Sequence, residues 1–136
     1  MRYLIFSIFL VTIVAGYYTA NEERAYIQLT KKHCLGKCPV YDLFIYTNGK
    51  VIYEGIDHVT YKGKREFTLS KERLNEIKAL VEDLDIEVLQ NHTYKKVRDS
   101  PITNLIINNT KLSFQGSDVP KEVQGVITVL ENLVHD

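Results

Sequence analysis

Two hydrophobic periods organise this chain, and one early stretch has no polar period at all. From Arg24 onward, Ala25, Ile27 and Leu29 alternate with Tyr26, Gln28 and Thr30, which predicts a strand with one buried face. Beyond Pro39, the runs VYDLFIYT and KVIYEG flank Asn48-Gly49, the pair that most readily supplies the two positive φ angles of a type I′ hairpin turn. Residues 59–62 and 65–69 are rich in β-branched and aromatic side chains, with Gly63 between them as a turn or bulge. The pattern predicts a meander of four or five antiparallel strands.

The period then lengthens. Ser70 stands where a helix N-cap belongs and Glu72 falls in the first turn, near the positive end of the helix dipole. Leu74, Ile77, Leu80, Val81 and Leu84 recur at spacings of three and four, so one stripe of this helix faces a core. A polar stretch over 90–100 follows, then a second hairpin, 102–107 and 111–114, across Asn108-Asn109. Asp118 is expected to cap a last helix with Pro120 in its first turn, and Val119, Val123, Val126, Ile127, Leu130, Leu133 and Val134 form its apolar stripe. Hairpins in two blocks, each followed by a helix, predict an α+β fold: an antiparallel sheet with two helices packed on one face, a two-layer sandwich.

The stretch without a polar period is YLIFSIFLVTIVA, residues 3–15, directly behind Arg2. No charged residue occurs between Arg2 and Glu22, a run of nineteen positions. A basic start followed by a short apolar run is the arrangement of a secretory signal, with Val14-Ala15-Gly16 the better place for a cut. Nineteen uncharged residues also approach the length that spans a bilayer, so an uncleaved N-terminal membrane anchor is the alternative. In both cases Arg2 stays inside, and the rest is exported to the periplasm, the cell surface or the medium. The expected division is a leader or anchor over 1–20 and one α+β domain over 21–136.

Charge narrows the partners. Seventeen Lys and Arg balance seventeen Asp and Glu in 136 residues, so no excess net charge drives binding to nucleic acid or to an acidic membrane. The length suits one domain, and 45% hydrophobic residues with three prolines is an ordinary globular composition.

The only two cysteines lie four apart in His33-Cys34-Leu35-Gly36-Lys37-Cys38-Pro39. In an extended chain their Cα atoms would be roughly 13 Å apart, whereas a disulfide needs about 4.4 to 6.8 Å, so pairing requires the segment to fold back. Gly36 can supply a positive φ for so tight a loop, and Pro39 biases Cys38 towards an extended backbone that starts the next strand. An oxidising compartment favours a Cys34–Cys38 bridge. Two other chemistries compete. His33 and Lys37 would favour a thiolate for redox exchange. Two thiolates with His33, or with His58, His92 or His135, would suit copper or zinc.

The segment Cys34-Leu-Gly-Lys-Cys38-Pro39-Val-Tyr41, continuing through Asn48-Gly49-Lys-Val51-Ile-Tyr53-Glu54-Gly55, closely resembles the Cys-x-Gly-x-Cys-Pro-x-Tyr signature of an uncharacterised bacterial family, domain of unknown function 6438. The likeness extends through Asp99-Ser100-Pro101 and the final hairpin and helix. It implies a small domain common in exported proteins and carries no activity across. It marks Gly36, Pro39, Tyr41, Asn48, Gly49, Asp99 and Pro101, with the two cysteines, as motif residues.

The remaining candidates are diffuse. Tyr41, Tyr46, Tyr53 and Tyr61 all fall in the meander, as a binding surface or as cross-strand packing. Residues 94–99 (YKKVRD) put three cations on a connection, and Lys62, Lys64 and Arg65 form a similar group. Asp99 is either a functional acid or a turn former before Pro101. No Gly-x-Ser-x-Gly, His-Glu-x-x-His or phosphate-binding glycine loop is present. The expectation is a non-enzymatic module, without a cofactor, that binds an envelope protein or a small ligand.

Overall fold

The computed structural model describes residues 23–93 and 96–135; the apolar leader, and Tyr94 and Lys95 of the basic connection, lie outside the described residues. Six strands, β1 (Ile27–Lys31), β2 (Val40–Ile45), β3 (Lys50–Asp57), β4 (Gly63–Thr68), β5 (Ile102–Ile107) and β6 (Thr110–Gln115), form one antiparallel sheet in the order β4-β3-β2-β1-β5-β6. The first strand is therefore central, pairing Leu29 with Leu43 on one side and with Leu105 on the other. Two long helices, α1 (Lys71–Glu82) and α3 (Lys121–His135), accompany the sheet, and a short helix α2 (Ile86–Gln90) follows α1.

Period two in the strands and period 3.6 in the helices meet in one core. Ile27, Leu29, Leu43, Ile45, Val51, Leu105, Leu112 and Phe114 line one face of the sheet, and Leu74, Ile77 and Val81 of α1 with Val123, Val126, Ile127 and Leu130 of α3 cover it. Each such side chain contributes about 1.5–3 kcal/mol when fully buried. The opposite face carries Gln28, Thr30, Asp42, Phe44 and Ile52, all partly exposed. This is the α+β sheet with both long helices on one face that the periodicity predicts. No helix among the described residues is long and apolar enough to cross a membrane.

Four local expectations change. The β2–β3 connection is a three-residue loop, not a two-residue type I′ turn: Tyr46 N–H donates to the Lys50 carbonyl, and only Gly49 has positive φ, at 88°. Asn48 instead accepts the Lys50 N–H on its side chain at 2.9 Å. The paired positive φ angles occur at Asn108 and Asn109, 46° and 69°, between Ile107 and Thr110. Residues 59–62 form a loop rather than a strand, and the pairing of β4 begins at Gly63 opposite Gly55. The polar stretch is preceded by α2, whose N-cap Asp85 accepts the Val88 N–H. Finally, α3 starts at Lys121 and the Pro120 carbonyl accepts its first bond, from Gln124, so Pro120 precedes the first turn and Asp118 lies further out, in a tight turn with Gln115.

Strand direction sorts the connections into two ends. The loop end holds residues 32–39, 58–62, 96–101 and 116–120; the turn end holds 46–49, 69–70 and 108–109.

Candidate functional site

At the loop end, on the helix side of the sheet, a cleft of about 290 Å³ opens between the last turns of α3 and the β3–β4 loop. Its floor is built by strand alternation: Tyr41 on β2 and Tyr53 on β3 point to the helix side, with ring centroids 5.7 Å apart. Tyr41 is the tyrosine of the cysteine motif, and Pro39 stands at the rim. The α3 wall supplies Glu131 and Val134, and Lys31 reaches in from the end of β1.

These groups form a linked set. The Tyr41 hydroxyl donates to Glu131 Oε1 at 2.9 Å, and Lys31 Nζ stands 2.5 Å from the same oxygen. Burial, reinforced by the Glu131 charge, pushes the Tyr41 phenol far above the usual tyrosine range, so it stays a proton donor. Glu131 thus accepts from the phenol on the oxygen that also faces Lys31. Burial also raises the Tyr53 phenol.

The opposite wall is a loop kept close by one glycine. A Cβ at Gly55 would lie 1.8 Å from the Tyr61 carbonyl oxygen, so only glycine lets the chain fold back here. Tyr53 donates its hydroxyl to that carbonyl at 3.2 Å. Arg65 then ties the two walls, stacking 4.4 Å from the Tyr61 ring and donating to the Val134 carbonyl at 3.1 Å near the negative end of α3. His58, Val59 and Thr60 complete this wall, and His135 lies at the mouth. Asp57 holds its carboxyl below the usual range through a hydrogen bond from Lys62, and it also pairs with His58 at 3.3 Å.

The motif residues divide between this site and elsewhere. Cys34 and Cys38 are joined, with Cα atoms 5.9 Å apart. Gly36 does not adopt positive φ; the loop closes with its N–H directed at Cys34 Sγ, 3.2 Å away. With each sulfur bonded to the other, neither is a thiolate for a metal in this state, and His33 is exposed beside them. Among the described residues no three His, Cys, Asp or Glu groups stand where they would hold a metal ion.

Asn48 and Gly49 sit at the turn end, away from the cleft. Asp99 takes φ of 66° in the turn before β5, and the Pro101 carbonyl accepts the Gly116 N–H, so this pair shapes the far side of the loop end. Of the four tyrosines in the meander, Tyr41, Tyr53 and Tyr61 converge on the cleft, whereas Tyr46 lies near the turn beside Lys50.

Sequence reasoning missed Lys31 and Glu131. Glu131 sits 90 residues from Tyr41 and reads as an ordinary polar position within an amphipathic stripe. Only its place between the buried Leu130 and Leu133 hints that its side chain reaches the sheet margin.

The family model for a domain of unknown function, DUF6438, matches residues 25–134, and the chain belongs to that family. No curated protein matches the chain.

Proposed function

We propose that this member of the DUF6438 family is an exported, non-enzymatic binding module whose recognition site is the cleft beside the disulfide loop. The observation that supports it most is the Tyr41–Glu131–Lys31 set, which joins the motif tyrosine on the floor of a preformed cavity to the helix α3 wall. Pro39, Val59, Tyr53, Tyr61 and Val134 offer apolar surface, and Lys31, His58 and His135 offer N–H donors beside the single acid Glu131. That lining suits a small ligand with a planar apolar body and one anionic group. Glu131 is already engaged by a phenol and an ammonium, which favours orientation of a ligand over proton abstraction.

Titration with a panel of small aromatic carboxylates, followed by amide shifts, tests this. Binders should perturb residues 39–41, 58–61 and 131–135, and Tyr41→Phe combined with Glu131→Gln should weaken them about tenfold, equivalent to about 1.4 kcal/mol. Perturbation confined to the other sheet face, or turnover of a substrate that one polar substitution abolishes, would sink the proposal.

A further inference from the structure

The loop end has a second property besides the cleft, with which it shares Tyr61. Of the large apolar side chains exposed among the described residues, Leu35 (83%), Tyr61 (44%) and Val97 (48%) sit on three different connections of this one end. Each has cations for neighbours in the chain. Leu35 lies between Lys32 and Lys37, with no acid anywhere from Lys31 to Tyr41. Tyr61 precedes Lys62 and Lys64, and Val97 stands between Lys96 and Arg98. All six of these basic residues are exposed, and Lys32, Lys37, Lys96 and Arg98 make no ion pair among the described residues.

Two acids share the loop end, Asp99 directly after Arg98 and Asp118 paired with His92 at 3.6 Å, so the four cations Lys32, Lys37, Lys96 and Arg98 still outnumber them. The acids beside the cleft are engaged. Glu131 is taken by Lys31, and Asp57 by Lys62 and His58. Glu82, Asp83 and Asp85 cluster where α1 ends, next to Tyr26, Ile107 and Asn108 of the turn end. A chain with zero net charge is thus polarised, with its basic pole at the loops.

We infer that the loop end docks on an anionic lipid bilayer, with Leu35 and Val97 entering the headgroup layer and the flanking lysines and arginine meeting lipid phosphates. The shape supports a membrane over a folded partner. With strands about 4.8 Å apart, the three connections are spread over a sheet about 24 Å wide, each presenting its own apolar tip. A fluid surface accepts such separate tips one by one, and basic residues around an apolar contact are the composition that anionic headgroups attract. The Cys34–Cys38 bond holds the most exposed tip in a closed loop, which limits the freedom lost on docking.

The chain contains no tryptophan, so one placed at a tip is a unique reporter. In the full chain, Leu35→Trp is compared with Leu80→Trp, an exposed position on α1 away from the loops. On phosphatidylcholine vesicles containing about 30% phosphatidylglycerol, the Leu35→Trp emission should move to the blue by about 10 nm, and this should reverse in about 0.5 M sodium chloride. The Leu80→Trp emission should stay put. Adding Lys32→Gln and Lys37→Gln to Leu35→Trp should cut the apparent affinity of the shift about tenfold. An equal shift on pure phosphatidylcholine would overturn the proposal, as would no shift while the protein sediments with the anionic vesicles. An equal shift with soluble polyglutamate would overturn it in favour of an acidic polypeptide.

Discussion

The two ends of the sheet close the same strands by different means. At the turn end each reversal is closed by local chemistry, Gly49 N–H donating to Tyr46, Ser70 accepting from Arg73 at 3.1 Å and two asparagines bringing β5 into β6, and the longer links are mostly backbone ones, such as Leu69 N–H to Gly49 and Asn108 N–H to Tyr26. At the loop end long side-chain links are added to local ones such as Cys34–Cys38 and Lys62–Asp57. Arg65 reaches Val134, 69 residues away, Tyr41 reaches Glu131, 90 away, and Gln115 donates to the Val97 carbonyl, 18 away. Short turns need only the right residues in sequence, because each hydrogen bond closes a small ring. Longer connections keep one conformation only if distant elements hold them, and a loop so held can present side chains in a fixed geometry. The cleft and the exposed basic tips both lie at the end that is held this way.

This contrast predicts an ordering of substitution effects. The largest should come from Gly55→Ala: a Cβ 1.8 Å from the Tyr61 carbonyl forces the β3–β4 loop off the sheet, at about 3 kcal/mol. Thermal unfolding would read it, and a loss smaller than that of a turn-end glycine would break the contrast. Next is the double substitution Cys34→Ser with Cys38→Ser. A closed loop this small is worth about 2 kcal/mol on the chain-entropy estimate, and urea unfolding should show that loss while the sheet's circular dichroism is unchanged.

At the turn end, Gly49→Ala should cost roughly 1–2 kcal/mol, because φ of 88° disfavours a side chain and the new Cβ would meet the Leu69 carbonyl at 3.2 Å. An unchanged unfolding midpoint would show that this turn tolerates strain. The smallest effect is on pH dependence. Asp57 has a carboxyl depressed by Lys62, so its contribution is present above the unfolded carboxylate pKa of about 3.9 and fades as pH falls through the lower folded value. Lys62→Gln should flatten this acid limb in a stability profile from pH 5 to 2, an interval of about three units. An identical limb in the variant would remove Lys62 from the account.

Legibility followed the same division. Alternation in Ile27, Leu29, Leu43 and Ile45 and the stripe from Val123 to Val134 placed the core, because burial imposes a period that the chain displays openly. Ser70 as a helix cap is local chemistry and was equally readable. The turn assignments were half readable. Asn48-Gly49 marks a reversal, but whether two or three residues close it depends on the register between β2 and β3, and that is set by side chains across the strands. Leu80 continues the stripe of α1 yet is 39% exposed, since the periodicity does not say how wide a face the sheet covers.

The cleft was the least readable part. Tyr41 belongs to a conspicuous motif and Tyr53 and Tyr61 to an aromatic group, yet nothing near them in the chain points to Lys31 or Glu131. Residues 59–62 have the β-branched and aromatic content of a strand, and β propensity reports a preference for pleated, half-buried surface rather than a commitment to pair. Here the close approach at Gly55 and the stack of Tyr61 on Arg65 turn those residues into a wall.

Periodicity, caps and turn residues are properties of neighbours in the chain, so fold class, the count of long helices and the hairpin blocks were already written in the order of amino acids. The pairing of β1 with β5, and the path that brings the end of α3 over Tyr41, depend on contacts between residues many tens of positions apart. No local signal encodes such contacts. They are selected by the requirement that one apolar sheet face and two apolar helix stripes be buried together, and a cleft beside the disulfide loop is where that packing leaves room.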